Sequence, residues 1–560
     1  MGLIMIKLGY IKKSAIVSMT IPLLFIGESP GAKANNNDVD LVLNVTIDML
    51  KGEVPFRNYD RLSEGGIRHV IDNGVSYTNA RYQHSTTFTA VGHAVLNTGA
   101  PAAEHGLAGN DWADRKTGER VYCVSDPDSN PFIDTDMRGT SPRNLTATTF
   151  SDELSLSSGG KSRSFAVSVK DRGAIIPAGR LGKAFWYESG SGDFYTTSYY
   201  YDEMPEWVTE FNESGKKDKF RDEQWTLKKP EDTYTFSHND DREHEKGYYD
   251  LGSTIPKDYD NSDDSAYYGG LRFSPAGDEL TLEFAKTLME QEEIGKGDAA
   301  DVLNISLSGT DYVGHAWGTN SLEYEDMFLH VDALLDDFFS FVDDEVGLDN
   351  TLIIISSDHG ADDIPEYQHQ EGLDADRHYP EEFIETANET LRERFDISDD
   401  LIMAFWNPSL YLNPDVMESN DLDYPEVERA LAQAMLDQEG VSYAITRTDI
   451  ESGNIPDTPI MNKLVRAFQP ERSGNVLFIQ DQFWYLYPNA DQFSAMHGSP
   501  YAYDTHVPIL ISGPKIPNQV VDRSVAVSDL AITITNYMEV RTPSGADGDV
   551  LEEVVSERSF

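Results

Sequence analysis

Asp358-His359-Gly360 places a carboxylate and an imidazole side by side, with a glycine behind them that permits a tight turn. Zinc accepts both donor types. The same string also fits a turn with a hydrogen-bonded histidine. Asp311 and His315, in Asp311-Tyr312-Val313-Gly314-His315, are four residues apart. On a helix they share one face, the spacing that zinc-binding helices use; taken alone they also read as a cap and a surface histidine. Asp48 adds a carboxylate, and His497, beside Gly498, adds a late histidine that by itself reads as structural. The single cysteine, Cys123, excludes a cysteine-based cluster, so oxygen and nitrogen donors point to a catalytic zinc rather than a structural one. Thr86-Thr87-Phe88-Thr89-Ala90-Val91-Gly92-His93 supplies hydroxyls at a helix start, followed by His105-Gly106-Leu107-Ala108-Gly109-Asn110-Asp111-Trp112. Free N–H groups attract anions there. A metal would lower the hydroxyl pKa of Thr89 and make it a nucleophile, although Thr89 by itself reads as an N-cap.

Buried strands are expected to carry these residues. Leu41 to Ile47 ends at Asp48, and Ser164 to Val169 ends at Lys170. Val302 to Leu307 ends shortly before Asp311, and Leu352 to Ser357 ends at Asp358. Val507 to Ser512 ends at Gly513. Near-continuous apolar runs of this length suit largely parallel strands covered on both faces. Tyr324, Phe328, Val331, Leu335, Phe338 and Val342 follow one helical face after Ser321, and Leu280 to Glu290 and Ser528 to Met538 also read as helices. Alternating strands and helices make the fold class α/β. In open sheets of that class, ligands bind at the carboxyl ends of the strands, where Asp48, Lys170, Asp311 and Asp358 all fall.

The chain has 560 residues, with 97 Asp+Glu against 44 Lys+Arg, for a formal charge of −53. Such acidity opposes nucleic acid and anionic lipid as partners. It suits either a solvated surface or adaptation to salt, where screening limits self-repulsion. Residues 1–34 read as a secretory signal peptide. Lys7, Lys12 and Lys13 form a basic start, Ser14 to Ile26 is mostly apolar, and Ala32-Lys33-Ala34 is an A-x-A site. Export without disulfides implies a bacterial periplasm or medium. No later stretch is long enough to span a bilayer. Residues 35–560 are expected to form a single catalytic domain, with insertions at about 186–275 and 365–495 over the ligand edge of the sheet.

These strings together resemble the alkaline phosphatase superfamily, specifically the PafA-type bacterial alkaline phosphatases, related to type I phosphodiesterase/nucleotide pyrophosphatases. VTIDM, EGGIRHV, TTFTAVGHA, HGLAGNDW, VYCVSD, SPRNL, VSVKDR, TDYVGHAWG, SSDHGA, YDTHVPIL and PSGA carry the resemblance from about residue 40 to about 550. It implies a three-layer fold, with a mostly parallel central sheet flanked by helices and insertions over the active-site edge. It also implies two Zn2+ per chain and hydrolysis of phosphate monoesters through a phosphothreonine. Thr89 matches the nucleophile. Asp48, Asp358 and His359 match the ligands of the zinc that activates it. Asp311, His315 and His497 match those of the other zinc, His497 in divergent flanks and with His506 a neighbouring competitor. Asn110 matches a phosphoryl-binding amide, and Lys170 and Arg172 match a cationic pair on the transferred group.

Two related activities compete. Diester-cleaving relatives lack the Lys-x-Arg pair, as the resemblance implies. A dianionic monoester rewards the extra positive charge of Lys170-Asp171-Arg172. A sulfatase needs a C/S-x-P-x-R string, and Cys123 lies in YCVSDPD instead. A protein that binds metal or anions without turnover is the non-enzymatic alternative.

Overall fold

The computed structural model describes residues 39–135 and 138–555. The signal-peptide expectation for residues 1–34 therefore lies outside the described residues.

The strands that matter to the site are β1 (Leu41–Ile47), β2 (Gly74–Arg81), β3 (Asp111–Ala113), β4 (Arg120–Tyr122), β5 (Ser164–Ser168), β6 (Lys183–Tyr187), β7 (Phe194–Tyr195), β8 (Asp301–Leu307), β9 (Thr351–Ser356), β10 (Ile402–Trp406), β11 (Ser409–Leu412), β12 (Val441–Thr446), β13 (Val476–Gln480), β14 (His506–Ser512), β15 (Gln519–Val521) and β16 (Val525–Ala526). The helices are α1 (Thr89–Thr98), α2 (Asp171–Ala178), α3 (Pro275–Gln291), α4 (Gly309–Trp317), α5 (Leu322–Glu345) and α6 (Asp529–Tyr537).

A ten-stranded sheet runs β15-β2-β14-β9-β1-β8-β5-β6-β7, with β16 also on β2. Its centre is parallel: β1 pairs β8 and β9, and β5 pairs β8 and β6. The strand from His506 departs from the parallel expectation, because it pairs antiparallel with both β9 and β2. A buried strand shows the same apolar run in either direction, so composition does not set its polarity.

Alternation along β1 divides the interior. Leu41, Leu43, Val45 and Ile47 join a core with α3 and α5, whereas Val42 faces a second core with α1 and α6. Helices thus cover both faces, the three-layer arrangement expected. Ser321 caps α5 by accepting the N–H of Tyr324.

The segments read as insertions differ from one another. Phe194–Tyr195 closes the edge of the main sheet, so the sheet continues past residue 186. Trp186 meets Tyr195 edge-on at 5.0 Å between ring centroids, and such aromatic burial keeps this edge in the core. Residues 365–495 contain a separate four-stranded sheet, β10-β11-β13-β12, with its own apolar cluster around Leu410, Val427, Leu431 and Phe478. Trp406, Tyr487 and Pro488 from this region line a pocket with Phe88 and Asn110.

Candidate active site

Four strand ends meet at one place. Asp48 directly follows β1, and Lys170 stands between β5 and α2. Asp311 lies in the first turn of α4, which follows β8, and Asp358-His359 follows β9. Asp48, Asp358 and His359 have no solvent exposure, and Asp311, His315, Lys170 and His497 are also buried.

The donor atoms converge. Asp311 Oδ1 lies 3.4 Å from His315 Nε2, 3.5 Å from His497 Nε2 and 4.0 Å from His359 Nε2. His359 Nε2 is also 3.5 Å from Asp48 Oδ1 and 3.4 Å from Asp358 Oδ2. Two groups bring their donor atoms within 4.8 Å of one another, close enough to hold a metal ion: Asp311, His315 and His497, and Asp48, Asp311 and His359. The first is the set expected. In the second, Asp311 joins Asp48 and His359, with Asp358 alongside.

The donor set fits divalent metal. Asp48 Oδ1, Asp311 Oδ1 and Asp358 Oδ2 are buried without a hydrogen-bond partner, a costly arrangement unless a cation serves them. Burial, then the Asp311 charge, pushes Asp48 up to about 6. Burial and Asp48 push Asp358 well above the usual carboxylate range. Burial also works to raise Asp311, but His315 and Lys170 outweigh it and hold that carboxyl low. The imidazoles are oriented by backbone carbonyls. Nδ1 of His315 is 2.8 Å from Ala495 O, that of His359 is 3.0 Å from Gly360 O, and that of His497 is 2.7 Å from Thr87 O. Each carbonyl requires a proton on Nδ1, which leaves the Nε2 lone pair for a metal. Burial drives His359 well below the usual imidazole range and His497 down to about 4, favouring the neutral, ligating form.

Thr89 is the first residue of α1, with Phe88 at the cap position and no side-chain cap bond. The N-cap reading of Thr89 therefore gives way. Its Oγ1 lies 3.5 Å from His359 Nε2. Gly92 lets α1 approach this closely: a Cβ there would stand 2.0 Å from the carbonyl oxygen of Asp358. Asn110 Oδ1 accepts the N–H of Ala90 at 2.9 Å, which fixes the amide and turns its NH2 the other way.

Lys170 Nζ donates to Asp48 Oδ2 at 2.6 Å and to Asp311 Oδ2. Burial works to lower its pKa, but Asp311 and Asp48 overcome that and keep it charged. Arg172 is partly buried and stays charged, with Tyr122 and Asp171 outweighing its desolvation. Its Nη1 is 3.4 Å from Tyr122 Oη. His506 stays outside: its Nε2 meets Thr78 O at 2.8 Å.

The sequence reading missed several supporting residues. His93 Nε2 is 3.2 Å from Ser306 Oγ and 3.9 Å from Asp358 Oδ2. Its position four residues after Thr89, one helical turn on, was the available signal. Phe493 stacks on His315 at 4.4 Å, and Asp504 Oδ2 accepts the N–H groups of Gly498 and Ser499 just after His497. No local spacing marks these two.

Residues 45–500 match the family described as type I phosphodiesterase / nucleotide pyrophosphatase. Alkaline phosphatase PafA of Elizabethkingia meningoseptica is 32% identical, covering 92% of this chain and 94% of that protein. Alkaline phosphatase PhoV of Synechococcus elongatus is 31% identical, covering 92% of each. A Myroides odoratus protein named calcium-transporting ATPase is 30% identical, covering 92% of this chain and 95% of its own. Among the described residues no helix is long and apolar enough to cross a membrane. The crystal structure of wild-type PafA superposes with a TM-score of 0.86 at 32% identity, covering 92% of this chain and 99% of that one. The chain therefore belongs to the type I phosphodiesterase/nucleotide pyrophosphatase family, alongside the PafA- and PhoV-type alkaline phosphatases.

Proposed function

We propose that this protein is an exported, zinc-dependent phosphate monoesterase that works through a phosphothreonine on Thr89. One observation carries the reading. Three buried carboxylates with unpartnered oxygens and three imidazole Nε2 atoms converge beside a helix N-terminus that bears a threonine hydroxyl.

Asp48, Asp358 and His359 would hold one zinc, and Asp311, His315 and His497 the other, with Asp311 close enough to serve both. When bound, the ions supply Lewis acidity at the attacking and leaving oxygens. Thr89 Oγ attacks phosphorus, the ester P–O bond breaks, and the leaving alkoxide takes a proton. Water then cleaves the phosphothreonine, releasing phosphate and restoring the hydroxyl. Asn110 donates to an equatorial oxygen through its NH2. Lys170 and Arg172 stabilise the negative charge spread over those oxygens.

Rates on an aryl phosphate monoester and the matching diester, with chelator and with zinc added back, test the reading. Strong monoester preference, lost on chelation and restored by zinc, is the expected result. Diester preference would instead favour the phosphodiesterase alternative that the family description raises.

A second test separates the two readings by residue. Charge-assisted hydrogen bonds contribute about 1.5–3 kcal/mol each. Replacing both Lys170 and Arg172 with alanine should therefore lower monoester kcat/KM by about a hundredfold or more. The diester rate should fall far less, since it presents one charge fewer. Equal losses on both substrates would refute the assigned role of the pair.

The basic start, apolar run and A-x-A site of residues 1–34 support a periplasmic or secreted location.

A further inference from the structure

Arg172 lines a cavity of about 760 Å³ whose lining does not include Asp48, Asp311 or Asp358. That size suits a small-molecule site. Three arginines line it, Arg120, Arg138 and Arg172, in a chain whose acidic residues outnumber its basic ones by 97 to 44. Only Arg172 belongs to the set that would hold the transferred phosphoryl group, so Arg120 and Arg138 are additional cations.

The β3–β4 hairpin explains their position. Asp111 pairs with Tyr122 and Ala113 with Arg120, so Asn110 and Arg120 stand on the two arms of one hairpin. Asp111 Oδ1 takes the Nε of Arg120 at 2.7 Å, and the guanidinium lies 5.4 Å from the Trp406 ring centroid. These contacts hold Arg120 at the mouth while its side chain stays 60% exposed.

Two of the lining residues also carry buried polar atoms without partners. Arg172 Nε and Thr140 Oγ1 have no hydrogen-bond partner among the described residues. A buried donor left unpaired is costly, so each of these groups gains from an acceptor brought within reach. Two acids, Asp171 and Glu119, share the lining. Asp171 is already engaged, accepting from the Arg172 N–H at 2.7 Å and from the Tyr122 hydroxyl. Burial pushes its pKa up, against the opposing pull of Arg172 and the Tyr122 hydroxyl. The lining then holds Glu119 against Arg120, Arg138 and Arg172, with Arg120 already sharing its charge with Asp111; the planar guanidinium matches phosphate and carboxylate oxygens.

We infer that this cavity is a second anion subsite, and that the preferred substrates are phosphate monoesters whose leaving group carries another phosphate or carboxylate. The inference rests on the monoesterase reading above. Recognition at Arg120 and Arg138 is remote from the reacting atoms and should appear chiefly in KM.

The test uses the full-length, zinc-loaded protein at low ionic strength. It compares kcat/KM for a hexose 1,6-bisphosphate with that for the hexose 6-phosphate, and for a phosphoglycerate with that for glycerol phosphate. p-Nitrophenyl phosphate serves as the common reference. The bisphosphate should exceed the monophosphate by about tenfold or more, the scale of one charge-assisted hydrogen bond. A preference that extends to phosphoglycerate assigns the subsite to carboxylates as well; one confined to the bisphosphate assigns it to phosphate. Arg120→Ala and Arg138→Ala should bring the ratio towards one, and Arg138→Glu should take it lower still. Both arginines are exposed, and circular dichroism checks that the variants fold. A wild-type ratio near one, or a ratio that survives loss of both arginines, overturns the subsite. Failure to hydrolyse p-nitrophenyl phosphate would strike the monoesterase reading itself.

Discussion

Thr89→Ala should lower phosphomonoester kcat/KM by about a thousandfold or more, the scale seen when a catalytic nucleophile is removed. Zinc content should stay at the wild-type level. The reason lies in where Thr89 sits. It is the first residue of α1, with its hydroxyl 3.5 Å from His359 Nε2, yet it makes no cap bond. Deleting the hydroxyl therefore removes the attacking atom without opening the helix end. Asn110, Lys170 and Arg172 keep their own partners, Ala90 N–H, the Asp48/Asp311 carboxylates and Tyr122. They would still bind the phosphoryl group, so KM should change much less than kcat. Two measurements check this: steady-state kinetics with metal analysis, and mass spectrometry of acid-quenched protein. The wild type should gain one phosphoryl group on the peptide bearing Thr89, and the variant none. A variant that retains activity within tenfold of wild type would remove Thr89 from the mechanism.

Asp311→Ala should have the largest effect on metal binding. Asp311 is the one residue in both candidate ligand groups, and its Oδ1 lies within 4.0 Å of three imidazole Nε2 atoms. Its Oδ2 also receives Lys170. His315, by contrast, belongs to one group only. His315→Ala should thus cost about one zinc per chain, and Asp311→Ala should lower the affinity of both. Activity should fall with the metal, by at least the 10–100-fold typical of even an outer-sphere partner. Equilibrium dialysis against a graded zinc buffer measures the binding without relying on turnover. Equal zinc retention in the two variants would show that Asp311 serves a single ion.

Much of the site is legible without a fold. The Asp311/His315 spacing needs only the helical period, and the structure returns it as a 3.4 Å contact on one face of α4. Placing Asp48, Lys170 and Asp358 at strand ends needs only the apolar runs before them. The resemblance of whole strings then joins these fragments. His497 shows the limit of that route. Its flanks diverge and His506 competes nearby, and only packing separates them. His497 stacks on His359 at 3.6 Å between ring centroids, whereas His506 hydrogen-bonds Thr78 across the sheet.

Local chemistry and periodicity thus offered candidate ligands, the elements that carry them and the fold class, and the resemblance of whole strings added the candidate roles of Thr89, Asn110, Lys170, Arg172 and His497. Tertiary structure decided how they combine. It drew Asp311 into both candidate ligand groups, seated Lys170 between two carboxylates, ran β14 antiparallel and brought Arg120 and Arg138 into one cavity with Arg172. Helix and strand periods fix only which face a side chain takes within its own element. Distances between residues hundreds of positions apart, as between Asp48 and His359, are set by strand order and helix packing. No local spacing encodes those.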